Sequence, residues 1–380
     1  MLHALAPQPP LATRPLTTAR SWRPLPFGAR YEEAGCSLNR IGIDELFQKY
    51  AACGFLYPAK IERLRAFWPA IAANWEKSMI SIDGEPLNHV VVYDDGHGGW
   101  ASISAWETGT RALHSQHLVS TGRPEATQAV LLSAQSEMWQ RRHRSATNWF
   151  RAENRFPARV FGSCERSLGP LVAQVLPFAY LKIDRGSREE TAPRIAVQRC
   201  TERDQPAVAA LAARLCGSVQ AHADDWSDGD LELTELDERY KRAGLRRYRH
   251  VFVAYDAMTR DYVGLAVAYR GPLGLSLSFL ENRCELWLAP ELSSDDRRAV
   301  TTALLARAEA TYQDFELQHL LVTTDERTAT ILRSAGADTL VDYNRSTWLA
   351  AGFESWFRHV ESLYARACRV SSRHSASNAS

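Results

Sequence analysis

The sequence predicts an α/β protein of the α+β type, made of two similar halves, each a mixed, mostly antiparallel sheet flanked by helices. Three observations predict it. Along the chain the spacing of apolar residues switches between a helical period and a period of two. The order of these segments then repeats once. Finally, 380 residues exceed what one hydrophobic core usually organises, whereas two domains of ordinary size fit.

The first forty residues carry Arg14, Arg20, Arg23 and Arg30 and no acidic residue before Glu32. An Arg-rich, acid-poor leader is compatible with a transit peptide. Pro9, Pro10, Pro15, Pro24 and Pro26 break any amphipathic helix there, so residues 1–40 are expected to be a disordered basic leader. Helical spacing starts with Ile43, Leu46, Phe47 and Tyr50, and continues from Pro58 to Met79 through Leu64, Phe67, Ile71 and Trp75. The period then becomes two. Strands are predicted at 89–93, 100–106 and 111–119, the first two joined by the glycine turn 95–99. Gly122 to Pro124 open a helix that reaches about Arg142, with proline at its first position. A strand at 147–152, a short helix at 157–164 and a strand at 178–183 complete the first half, 41–183.

Residues 184–194 are charged and poor in apolar side chains, and read as a linker. The order then recurs over 195–368. Strand 195–199 and helix 205–215 lead through a variable region to strands at 250–255, 262–269 and, as one long strand, 275–288. Ser293 caps a helix at 295–313 with acidic residues in its first turn. A strand at 319–323, a helix at 328–334 ending at Gly336, a strand at 343–349 and a helix at 353–368 close the half. Residues 369–380 are Ser-rich and expected to be a disordered tail.

Composition narrows the function. Hydrophobic residues are 45% of the chain, and no apolar run approaches the roughly 18–20 residues of a membrane span. The net charge of +1 gives no global field for nucleic acid or anionic lipid. Neither membrane nor nucleic acid is expected as a partner, and a cytoplasmic location is expected. The seven cysteines form no CxxC pair, which argues for reduced, buried thiols rather than a disulfide scaffold or a thiolate metal site. No metal is expected.

Several segments resemble the GNAT N-acyltransferase superfamily. Glu285 to Glu291 (ELWLAPE) is similar to the strand end that precedes the family's central helix. Ala329 to Gly336 (ATILRSAG) resembles its short helix after the fifth strand, and Asn154 to Phe161 (NRFPARVF) repeats that pattern in the first half. The resemblance covers about 58–183 and 194–360 and identifies the chain as a tandem of two GNAT-like domains. It implies transfer of an acyl group from acyl-CoA, acetyl-CoA included, or from a carrier-protein thioester, to a small-molecule or protein amine by direct attack. The family's splayed strands receive the pantetheine arm, here beside Leu288. Its pyrophosphate rests on amides at the start of the central helix. The matching positions are Gly122 and Arg123 in the first half and Arg297 and Arg298 in the second. The second half has no glycine there, and Asp295 and Asp296 repel phosphate, so Gly122 and Arg123 form the better cradle.

An attacking amine must lose a proton. Glu281 and Glu285, four apart on the predicted long strand, share a face and are candidate bases. Tyr343, near the start of the closing strand, is the candidate acid that the resemblance implies. Cys284 shares its face with Leu286 and Leu288 and reads as core, while Glu107, His114 and His117 line the first half's strands. Asp224 to Glu235 partly matches a calcium loop, but Trp226 stands where a ligand oxygen is needed. Arg242, Arg246, Arg247 and Arg249 read as a solvated basic run. A second reading is a catalytically degenerate tandem serving as a binding or regulatory module. A third, a calcium-responsive adaptor, rests on Asp228. The oligomeric state is left open by the sequence.

Overall fold

A computed structural model describes residues 25–186, 194–226 and 230–377, with side chains to 366. The leader before 25, linker residues 187–193, the loop 227–229 with Asp228, and 378–380 lie outside the described residues. The chain divides by contact into two compact units: residues up to 106, 113–143 and 350 onward form the first, and 107–112 with 144–349 the second. The divisions therefore fall at 106, 112, 143 and 349, not in 184–194.

In the first unit, β1 (Cys36–Leu38), α1 (Ile43–Ala52), α2 (Pro58–Leu64) and α3 (Trp68–Met79) precede the small hairpin β2 (Ser81–Ile82) and β3 (Glu85–Pro86). β4 (Asn88–Asp94), β5 (Trp100–Gly109) and β6 (Ala112–Ser120) follow, then α4 (Pro124–Gln140). The strand order is β1-β4-β5-β6. The single helix expected over 58–79 is divided by a 3-10 turn at Arg65–Phe67, with Pro69 in the first turn of α3. Proline cannot donate to the preceding turn but is tolerated at a helix start. The described part of the expected leader, 25–40, is packed on the first unit: Phe27 lies on Trp139 and Phe357 at 5.0 and 5.4 Å between ring centroids, and Cys36 is buried.

In the second unit the chain runs through β7 (Ser145–Phe150), α5 (Arg155–Val160), α6 (Cys164–Leu168) and β8 (Ala173–Asp184). It continues as β9 (Ile195–Arg199), α7 (Gln205–Cys216), α8 (Ser218–Ala223), α9 (Thr234–Arg242), β10 (Tyr248–Asp256), β11 (Tyr262–Arg270) and β12 (Arg283–Leu288). Then come α10 (Ser294–Glu309), β13 (His319–Thr324), α11 (Glu326–Ser334) and β14 (Asp338–Leu349), before α12 (Phe353–Ser377) returns to the first unit. The tail expected from 369 is thus helical to Ser377.

The strand order in this unit is β7-β14-β8-β13-β12-β11-β10-β9. β12 and β13 pair in parallel, whereas β9–β10, β10–β11, β11–β12, β8–β13, β8–β14 and β7–β14 pair antiparallel. The architecture is the expected mixed, mostly antiparallel sheet with helices. The closing strands are exchanged between the sequence halves: β8 of the first half lies between β13 and β14 of the second, and β14 pairs with β7. One face of the sheet carries Val251, Val253, Leu265 and Val267 against Val208, Leu211 and Ala212 of α7.

The long strand expected over 275–288 is only β12. Residues 271–280 form an almost wholly buried loop, and Leu280–Asn282 is a 3-10 turn. Phe279 stands at φ +62°, a left-handed conformation that interrupts strand pairing.

Candidate functional site

In the first unit, β6 is kinked near its end. His117 has φ +54°, rare for a side chain bearing Cβ, and such an irregularity bends a strand away from regular pairing. Its Nδ1 lies 2.9 Å from Ser104 Oγ, and the rings of Trp75 and Trp106 stand 5.4 and 5.5 Å away. Burial, with Lys60 adding to it, lowers its pKa well below the usual value, so the ring is neutral at pH 7.

Five residues on, Gly122 takes φ +88°, where glycine avoids the Cβ penalty. Ser120 Oγ accepts from Gly122 N at 3.2 Å and from Thr127 Oγ1 at 3.0 Å. α4 starts at Pro124 with Arg123 as N-cap residue, and no side chain caps it. The Arg123 guanidinium donates to Asp95 Oδ2 at 3.3 Å and His97 O at 2.9 Å and stays 41% exposed. Burial opposes ionisation of Asp95, but the amides of His97 and Gly99 and then Arg123 hold its carboxyl below the usual range. An uncapped helix start next to a left-handed glycine and a partly exposed arginine can accept an anionic group.

The matching place in the second unit is sealed. Ser293 Oγ accepts from Asp296 N at 3.1 Å and donates to Asp296 Oδ2 at 2.7 Å. β12 and β13 pair only from Arg283↔Leu321 to Glu285↔Thr323. Beyond that point the chain's own side chains stitch the strand ends: Thr324 Oγ1 donates to Leu286 O (3.2 Å), Arg297 Nη2 to Ala289 O (2.9 Å) and Arg327 Nη1 to Pro290 O (2.7 Å). Arg297, 2% exposed, also reaches Thr328 Oγ1 and Asp325. Arg298 is exposed, and Leu288 is buried in the ladder opposite Gly264.

The candidate bases do not share a strand face. Glu281 sits in the 3-10 turn, ion-paired with Arg247, and Glu285 lies on β12 between Arg345 (2.6 Å) and Arg283 (2.8 Å). Burial raises the Glu285 pKa, but Arg345 and Arg283 outweigh it and hold the carboxyl below its usual range. A carboxylate so clamped is a poor proton acceptor. Arg345 of β14 and Arg247, which precedes β10, come from far away in sequence, whereas Arg283 is a neighbour of Glu285 on β12. Tyr343 stacks on Phe178 at 5.7 Å, half-buried, and Cys284 is core.

Three further expectations meet structural roles. Glu107 pairs with Arg239, and His114 is buried beside Trp106. The basic run is solvated only in part: Arg242 and Arg246 are exposed, the latter forking onto Asp237, whereas Arg247 is buried on Glu281 and Arg249 donates to the carbonyls of Leu231 and Asp224 over the Trp226 ring. In the acidic loop, Asp230 accepts from Glu235 N at the start of α9, and Glu232 binds Arg199. Among the described residues no group of three or more His, Cys, Asp or Glu is placed to hold a metal ion.

Sequence reasoning missed Arg345 and Thr323 and read Asp224 only as the first position of a calcium-type loop; the three lie beside Glu285. The available signal was Arg345 itself, a charge two residues from Thr347 and three from Trp348 in the apolar end of the last strand.

No family model matches the chain, and no curated protein does. Solved structures do resemble it. A tandem GNAT protein from the clavulanic acid biosynthesis pathway is 12% identical, with 83% of this chain and 98% of that one covered and a TM-score of 0.40. A GCN5-related N-acetyltransferase from Sphaerobacter thermophilus is also 12% identical, covering 74% and 85%, with a TM-score of 0.38. For a putative acetyltransferase from Pyrococcus horikoshii the figures are 9%, 83%, 89% and 0.38. The likeness is one of fold. Among the described residues no helix is long and apolar enough to cross a membrane.

Proposed function

We propose that the chain is a GNAT-type acyltransferase that takes the acyl group from a CoA-type thioester and passes it to an amine, with the donor held in the first unit. The observation that carries this reading is the contrast between two helix starts. α4 begins uncapped after Gly122 and Arg123, while α10 is capped by Ser293 and crowded by Asp295 and Asp296. The kink at His117 precedes the open start, as a splayed donor-binding strand requires. Arg123 binds donor phosphate, and the amine attacks the thioester directly. The amine's nitrogen bonds to the acyl carbon, the CoA thiolate leaves, and the amine's proton goes to solvent or to the thiolate. Glu281 and Glu285 are not the bases in this scheme.

A thermal-shift titration with acetyl-CoA, a long-chain acyl-CoA and free CoA tests it. A ligand of the folded form raises the melting temperature by mass action. Replacing Arg123 by Ala removes a charge-assisted contact and weakens binding about tenfold, whereas Arg298→Ala leaves it unchanged. The second reading, a degenerate binding module, is favoured by the stitched strand ends of the second unit. Absence of any shift at concentrations around a millimolar selects it.

A further inference from the structure

We propose that the second unit holds a separate small-molecule site between α8 and the strands β12, β13 and β14, built to take a net-neutral zwitterion of the amino-acid type. The site's wall is continuous. Gln220 of α8 accepts from Thr347 Oγ1 at 2.7 Å, Arg345 lies two residues away on the same strand face, Arg345 pairs with Glu285, and Glu285 stands opposite Thr323. Asp224, just after α8, faces Gln220, Arg345 and Glu285.

Three buried polar atoms on this wall have no hydrogen-bond partner among the described residues: Arg345 Nε, Thr323 Oγ1 and Gln220 Nε2, on residues 1–3% exposed. Buried donors and acceptors are seldom left unmet, because an unmet one carries its full desolvation cost. Asp224 keeps part of its surface accessible although protein surrounds it deeply enough for burial to dominate its ionisation. A side chain with both properties lines a cleft.

Charge balance selects the ligand. On the wall itself Arg283 and Arg345 meet Glu285 and Asp224, two cations against two carboxylates. An added lone charge in this interior has no counterion, and buried unpaired charge is strongly disfavoured. A zwitterion adds none. Its ammonium donates to Asp224, its carboxylate accepts from Arg345 Nε–H, and the Thr323 hydroxyl serves either end.

The test uses calorimetry and thermal shift with glycine and L-alanine as zwitterions, ethylamine as cation and propionate as anion, each at roughly 10 mM, where a millimolar ligand must register. The zwitterions bind, and the two monopoles bind at least about tenfold more weakly. Asp224→Asn weakens zwitterion binding about tenfold, and Thr323→Val severalfold. Both variants are expected to fold, because asparagine matches aspartate in shape and valine is close to threonine in shape. The proposal fails if neither zwitterion binds, if a monopole binds equally well, or if both variants bind like the parent. It also fails if a crystal soaked in glycine shows only ordered water at Thr323. Arg123→Ala leaves zwitterion binding intact, so this outcome is separate from the donor reading.

Discussion

Glu281 and Arg247 meet in the interior of the second unit, where Gly271 makes room for them: a Cβ on that glycine stands 3.2 Å from Arg247 Nη1 and 3.5 Å from Glu281 Cβ. Truncating one member leaves the other charge buried alone. Glu281→Ala is therefore expected to lower unfolding free energy by about 3–5 kcal/mol in urea titration, while the double change Arg247→Met with Glu281→Leu recovers most of it. Asp225 gives a pH signature. Burial pushes its carboxyl up to about 6 against the partial help of Arg249, the Thr110 amide and Arg144. Its folded pKa lies above the unfolded value, so the folded form binds more protons between pH 4 and pH 6. The contribution of Asp225 to stability is then highest below about pH 4 and is lost as pH rises to about 6. The loss is on the order of 2–3 kcal/mol, and Asp225→Asn flattens the profile. An Asp225→Asn variant whose profile over this interval matches the parent's contradicts the assignment.

At the scale of elements, α10 packs on β11 because Gly264 leaves it space. A Cβ at 264 meets Val300 Cγ1 at 2.9 Å and Leu304 Cδ1 at 3.2 Å. Gly264→Ala is expected to cost about 1–3 kcal/mol by overpacking, read as a lower melting temperature. The start of the same helix depends on Ser293, whose replacement by Ala removes the bond to Asp296 N and costs about 1 kcal/mol. Both changes leave donor binding untouched if the first unit holds it. The sequence placed α10 and its cap well, because capping is a local property of a few adjacent residues. It misplaced the stretch before β12: the period-two pattern of 275–288 suits a strand, but the left-handed Phe279 and the Gly271–Asn282 contact (3.0 Å) turn the backbone into a buried loop.

At the scale of the molecule, the halves in sequence are not the units in space. β8 needs β13 and β14 as neighbours, and β7 needs β14. Fragments 1–186 and 194–380, expressed separately, are expected to lack cooperative unfolding by circular dichroism and to regain it when co-expressed. A first fragment that folds alone contradicts the exchanged pairing. By itself the sequence determined the fold class, the existence and order of nearly every element, the left-handed glycine at 122 and the cap at Ser293, since periodicity, capping and glycine placement act over a few residues. The tertiary structure alone decided which strands pair, where the units divide, and that Arg247 clamps Glu281 and Arg345 clamps Glu285. Strand partners and buried counterions arrive from distant parts of the chain, and no local pattern encodes which distant residue will come to lie beside a given side chain.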